Sequence, residues 1–216
     1  MNALLLLTVS LLQAPLPPVG IHRTAILEND VVIVARLTYD PASREEVHAH
    51  PFSAVTVYLT TAELDMTNGK ETRCERTFPG RFWFIPKETL HAATNTGTLP
   101  FDVITVGLKA SPHGYPPEGQ APPVPSGIVR NPVVENAETR VARVTFKPDA
   151  RETVHSHPFD LVLVQVTPGK LEVKTGEKIE IVTADVGEVL FLPRDVPHAV
   201  ANAGTSSFEL MSIAVK

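Results

Sequence analysis

Only one cysteine, Cys74, occurs in the chain. An internal disulfide and a cysteine-built zinc cluster are therefore both excluded. Cys74 sits in a stretch rich in Lys, Arg and Glu, with no nucleophile elbow or helix start around it, and it reads as incidental. Basic charge is also scarce: 19 Lys and Arg face 24 Asp and Glu, for a net charge of −5. That balance leaves no footprint for nucleic acid or an anionic membrane. Long apolar runs are missing too. The most apolar stretch, Met1 to Ala14 (MNALLLLTVSLLQA), is too short to span a bilayer. It resembles the core of a secretory signal, although no Lys or Arg stands near Met1. The expectation is a leader over residues 1–19 and a secreted or periplasmic protein. The alternative is a leading strand that covers a barrel edge, in a cytoplasmic protein.

What is present is a repeat. Glu28-Asn29 recurs as Glu135-Asn136, and Val34-Ala35-Arg36 recurs as Val141-Ala142-Arg143. Val47-His48-Ala49-His50-Pro51-Phe52 recurs as Val154-His155-Ser156-His157-Pro158-Phe159. Gly80, Pro86, His91 and Asn95 recur as Gly187, Pro193, His198 and Asn202, all at one offset of 107 residues. Chance does not hold so many positions in one register, so the chain is a duplication. Between the copies, Ser111 to Pro125 holds six prolines and no apolar periodicity, the composition of a semi-extended linker. The boundaries expected are a barrel over 20–110, a linker over 111–125 and a second barrel over 126–216.

Within the copies the apolar segments are short and rich in β-formers, separated by Pro, Gly, Asn or Asp. In copy one, strands are predicted over Asp30–Thr38, Ala54–Thr60, Arg81–Ile85 and Phe101–Leu108. In copy two they are predicted over Arg140–Phe146, Leu161–Val166, Lys170–Lys174, Lys178–Thr183, Val189–Leu192 and Phe208–Val215. Many short strands without a long helical period indicate an all-β sandwich or barrel.

Residues two apart in a strand face the same way, so His48 projects with His50, and His155 with His157. A third histidine follows some forty residues later in each copy, His91 and His198, after a Gly, an apolar strand and a Pro-bearing turn. Barrel closure can bring the three together as a metal site with open positions for water or substrate.

The stretches Gly80-RFWFI-Pro86-KETL-His91-AAT-Asn95 and Gly187-EVLFL-Pro193-RDVP-His198-AVA-Asn202 resemble the second cupin motif, G-x5-P-x-G-x2-H-x3-N. Glu88 and Asp195 stand where that motif has its turn glycine. The HxH pairs resemble the first cupin motif. The resemblance covers both copies and implies two tandem jelly-roll barrels, a bicupin. It carries little about chemistry, because cupins include oxygenases, decarboxylases, isomerases, epimerases and binding proteins.

Oxalate-degrading cupins add a Glu with three or four residues between it and the second His. Here those positions hold Ala54 or Val55, and Leu161 or Val162, while Asp160 is aimed away by strand alternation. Three neutral imidazoles suit Fe²⁺ first, with Ni²⁺, Cu²⁺ or Zn²⁺ as alternatives, and disfavour Mn²⁺. The set resembles the three-His cupins that cleave with O₂. The leading expectation is thus a mononuclear oxygenase acting on a small polar organic molecule. The alternatives are a non-enzymatic binding module and a Zn²⁺-dependent isomerase or hydrolase.

Other residues receive plainer readings. His22 and His113 lie outside both constellations and read as solvated. Glu88 and Asp195 serve a turn, while Phe82, Trp83 and Phe84 pack a core. Arg36 and Arg143 belong to a solvated strand face or orient an anionic substrate. By strand parity the inward positions are Phe52, Ala54, Thr56 and Tyr58 in copy one, and Phe159, Leu161, Leu163 and Gln165 in copy two. The first interior is then smaller-walled and more polar, which favours it for chemistry.

Overall fold

A computed structural model describes residues 20–109 and 124–216. The leader read over Met1 to Val19, most of the Pro-rich linker and His113 lie outside the described residues. Copy one contributes β1 (Ile21–Glu28), β2 (Val32–Tyr39), β3 (Ser53–Tyr58), β4 (Ala62–Thr67), β5 (Thr72–Thr77), β6 (Phe82–Ile85), β7 (Ala92–Asn95) and β8 (Phe101–Leu108). Copy two contributes β9 (Ile128–Glu135), β10 (Thr139–Phe146), β11 (Asp160–Gln165), β12 (Gly169–Thr175), β13 (Lys178–Ala184), β14 (Val189–Leu192), β15 (His198–Asn202) and β16 (Phe208–Val215). No helix occurs among the described residues.

Each copy folds into a five-stranded sheet facing a three-stranded one. The orders are β1-β2-β8-β3-β6 with β5-β4-β7, and β9-β10-β16-β11-β14 with β13-β12-β15. Every pairing is antiparallel, and the strands of copy two follow those of copy one position for position. The edge strands β1 and β9, the short β7 and β15, and the polar β4 and β5 went unpredicted. The mixed side chains of β5, TRCERT, lack a clean apolar alternation, whereas β4, AELDMT, alternates cleanly but is short and carries two acids.

The larger sheets are apolar on both faces, and each face has a different destination. Ala35, Tyr39, Ala54 and Tyr58 turn into their own barrel. Val32, Val34, Val55, Val57, Ile104 and Val106 turn outward. There they join Val141, Val162, Val164, Val166, Met211 and Ile213 of copy two in one buried cluster. Strands buried on both faces read as nearly continuous apolar runs. At roughly 1.5–3 kcal/mol for each fully buried aliphatic side chain, this shared core welds the barrels together.

The weld is close to two-fold symmetric. A Cβ on Gly80 would meet Arg143 Nη2 at 2.5 Å and Val166 Cγ1 at 3.1 Å. A Cβ on Gly187 would meet Leu59 Cδ1 at 2.7 Å and Arg36 Nη1 at 3.3 Å. Arg36 pairs with Asp102 at 2.6 Å and Arg143 with Glu209 at 3.3 Å. Both guanidiniums remain partly exposed, as a strand face would leave them, at 40% and 27% of the side chain. They face the partner barrel, because the outward face of each sheet is an interface between copies. Phe82 and Phe84 pack against the same core, whereas Trp83 points into barrel one.

Gly187→Ala combines a left-handed φ of +88° with the Leu59 contact. It is expected to destabilise the protein by about 1–3 kcal/mol. Gly176→Ala, at φ +58° with nothing within 4 Å, isolates the backbone term at about 1 kcal/mol. Thermal melts of both variants check this; equal losses would mean that the packing between barrels contributes nothing at Gly187.

Candidate functional site

The HxH segments lie outside the named strands, which corrects the expected geometry. His48 forms a lone antiparallel bridge with His91, and His155 with His198. In copy one the His48 N–H donates to His91 O at 3.0 Å and the His91 N–H returns to His48 O at 2.9 Å. The chain remains extended through the bridge, so the alternation of side chains survives without a continuous ladder. On the far side of the site, the N–H of Glu88 donates to His50 O, and that of Asp195 to His157 O. Both turn residues take a left-handed backbone, φ 60° and 59°. That conformation explains the glycine expected there.

All six predicted histidines come together as two triads. The coordinating nitrogens of His48, His50 and His91 lie within 4.8 Å of one another, as do those of His155, His157 and His198. The ring spacings nearly match, at 4.8, 4.4 and 5.1 Å in copy one and 4.7, 4.7 and 5.2 Å in copy two. The Nδ1 atoms of His48 and His91 lie 2.8 and 2.9 Å from the carbonyls of Glu46 and Thr89. His155 and His198 repeat this with Thr153 and Val196. A neutral ring that donates its Nδ1 proton to a carbonyl presents Nε2 as a lone pair. His50 stacks on Phe52, and His157 on Phe159.

The electrostatics favour lone pairs as well. Burial, reinforced by the neighbouring imidazoles, lowers the pKa of His50 to about 4 and of His157 to about 3. Burial likewise lowers His91 and His198. His50 and His91 in one triad, and His157 and His198 in the other, thus offer neutral nitrogen donors near pH 7. His155 and His157 bring their Nε2 atoms to 3.1 Å, close to the roughly 3 Å expected for adjacent nitrogens on one ion at metal–nitrogen distances near 2.1 Å. The donor set fits a divalent transition metal. Among the described residues, no carboxylate joins either group. Asp160 is committed elsewhere, its Oδ1 accepting the Arg194 N–H at 3.0 Å.

The surroundings of the triads diverge. Copy one encloses a cavity of about 1010 Å³ that reaches His48, His50 and His91, with Phe52, Ala54, Thr56 and Tyr58 on its wall as parity predicts. In copy two, Leu161 and Leu163 replace Ala54 and Thr56, Val200 replaces Ala93, and Leu210 replaces Val103. These larger side chains are buried in one core with Phe208 and Val173. His198 is only 2% exposed. His22 is exposed and hydrogen-bonds Asp40, and Cys74 is exposed on β5.

Glu45, which sequence reasoning passed over, also lines the cavity. Its Oε2 accepts the Ala93 N–H at 2.8 Å and its Oε1 accepts the Tyr39 hydroxyl. The counterpart Glu152 accepts the Val200 N–H at 3.0 Å and pairs with Arg130. The signal was available, since Glu45 and Glu152 obey the repeat offset just before each HxH. Burial, followed by the nearby Glu45 charge, raises the pKa of Tyr39 and Tyr58, so both phenols stay protonated.

Known proteins agree with this architecture. Residues 142–214 match the cupin domain family, and the 107-residue repeat extends the likeness to copy one. Germin-like protein subfamily 2 member 2 of Arabidopsis thaliana is 29% identical over 90 residues. The match covers 40% of this chain and 41% of that relative, less than half of its length. AerE from Microcystis aeruginosa superposes with a TM-score of 0.71 at 14% identity, covering 95% of both chains. The salicylate 1,2-dioxygenase of Pseudaminobacter salicylatoxidans gives 0.71 at 11% identity, covering 89% of this chain and 76% of that one. At such identities the structures speak for fold alone. Residues 142–214 thus form a cupin domain, and the chain as a whole folds as two tandem cupin-type barrels.

Proposed function

We propose that the N-terminal barrel is a mononuclear metalloenzyme of dioxygenase type, acting on a small organic molecule, and that the C-terminal barrel is a closed, structural metal site. One observation carries this reading. The triads match in geometry, yet the first lines the 1010 Å³ cavity, while the second stands beside a core filled by Leu161, Leu163 and Val200. The salicylate dioxygenase likeness is compatible with the reading, as it shares the fold.

His48, His50 and His91 would hold the metal, with Fe²⁺ the leading candidate. When bound, such an ion supplies Lewis acidity and, if redox-active, a route to O₂ chemistry. The rest falls to the chain itself. Carbonyls of Glu46 and Thr89 fix the tautomers of two ligands, and the ring of Phe52 braces the third. Tyr39, Phe101 and Trp83 form an apolar wall that excludes water. The Thr56 and Thr105 hydroxyls, 3.2 Å apart, and the Tyr58 phenol orient polar groups of the substrate. Glu45 has both oxygens engaged and acts as a positioning residue, joining the ligand loop to β7 through the Ala93 N–H.

Elemental analysis of purified protein is expected to find a divalent transition metal. His50→Ala should abolish both the N-terminal metal and O₂ uptake against a panel of organic acids and diketones. His157→Ala should lose one metal while retaining turnover. Turnover lost only in His157→Ala would assign the chemistry to the wrong barrel.

The histidines also set a pH dependence. In metal-free protein, His50 and His157 stay neutral down to about pH 4 and 3, whereas the unfolded chain takes up these protons near 6.5. The unfolded state therefore binds more protons in that window, and stability falls as pH is lowered below about 6.5. Melting temperatures of chelator-treated protein between pH 7.5 and 5 should decline, and less steeply for His50→Asn/His157→Asn. An identical slope in the double variant would refute the assignment.

A further inference from the structure

The two copies dispose of their repeated arginines differently. In copy two, Arg130 pairs with Glu152, and Arg151 with Glu172. The matching residues of copy one are Arg23 and Arg44, facing Glu45 and Asp65. Neither guanidinium forms an ion pair among the described residues. Both are exposed and both line the cavity.

Two substitutions account for the change. Phe146 of copy two is Tyr39 in copy one, and the Tyr39 hydroxyl takes the Glu45 oxygen that corresponds to the one held by Arg130. Arg23 is thereby released from its carboxylate. Glu172 becomes Asp65, shorter by one methylene. Arg44 remains anchored by its backbone bridge to Thr94, yet its side chain is unpaired. The charged side chains on the cavity wall are Arg23, Arg44, Glu45 and Glu46. Glu45 is already engaged, whereas both guanidiniums keep their donor forks open. An arginine fork matches a carboxylate in plane and spacing. The same cavity is lined by Tyr39, stacked on Phe101 at 4.5 Å, and by Trp83.

We infer that the N-terminal cavity binds small carboxylic acids with an apolar or aromatic body, the carboxylate received by Arg23 and Arg44 and the body by the Tyr39, Phe101 and Trp83 wall. This deepens the proposed function by naming a ligand class for the same cavity, and it rests on that reading only for turnover. Binding through guanidinium does not require the metal.

Trp83 is the only tryptophan, so its fluorescence reports occupancy of the cavity. The full-length protein, both chelator-treated and metal-loaded, is titrated with benzoate and 3-phenylpropionate and with their amides, benzamide and 3-phenylpropionamide. At least one acid should give a saturable change in both forms and bind about tenfold more tightly than its amide. Arg23→Gln and Arg44→Gln should each weaken the acid about tenfold and leave the amide unchanged, whereas Arg130→Gln should have no effect. Equal affinity for acid and amide, indifference to both Arg23→Gln and Arg44→Gln, or no saturable response would overturn the inference. Acid binding that appears only with metal and disappears in His50→Ala would assign the carboxylate to the ion and also overturn it. A protein that binds acids through the arginines but holds no metal would instead defeat the metalloenzyme reading and leave this one standing.

Discussion

Two backbone hydrogen bonds, exchanged between His48 and His91, hold the N-terminal centre together. They join an extended loop to the end of a strand more than forty residues away in sequence. A histidine pair and a single histidine thereby become one constellation. The carbonyls of Glu46 and Thr89, each two residues before one of these histidines, accept from the rings and fix which nitrogen faces inward. Copy two repeats the arrangement through His155 and His198. Ligand geometry is thus a property of the backbone, and it has persisted in both copies while the walls around it changed.

The walls changed because each barrel has two independent faces to satisfy. Outward positions such as Val55 and Val162 must fill the shared core. Inward positions are under no such demand. Ala54 and Thr56 leave room for a cavity, while Leu161 and Leu163 close it. A duplicated barrel can in this way keep one copy for rigidity and open the other. Freed from repeated ion pairs, Arg23 and Arg44 then become available to a ligand. A single hydroxyl, that of Tyr39, redirects the carboxylate of Glu45 and so alters the charge lining the cavity.

Much of this was legible in the residues. The constant offset places all eight strands of one copy on those of the other, and two-residue alternation identifies Phe52, Ala54, Thr56 and Tyr58 as cavity wall. The HxH pairs were read as strand when they form a bridged loop, and the conclusion survived because an extended chain alternates with or without a ladder. Arg36 and Arg143 show where one copy is not enough. Each pairs with an acid of its own copy, yet the glycine turn beside it belongs to the other copy, which no pattern within one copy reveals. Glu45 and Glu152 obey the same offset, but their role shows only in three dimensions, where each carboxylate accepts a backbone N–H from the strand that begins at or just after the third histidine.

The account rests centrally on wall residues, rather than ligands, distinguishing an open barrel from a closed one. Replacing Ala54 and Thr56 together by leucine would give copy one the corresponding wall of copy two. The decisive measurement is Trp83 fluorescence under titration with 3-phenylpropionate, alongside metal content, for this double variant. The account predicts unchanged metal content and loss of the saturable response. Undiminished ligand binding with both leucines in place would contradict it.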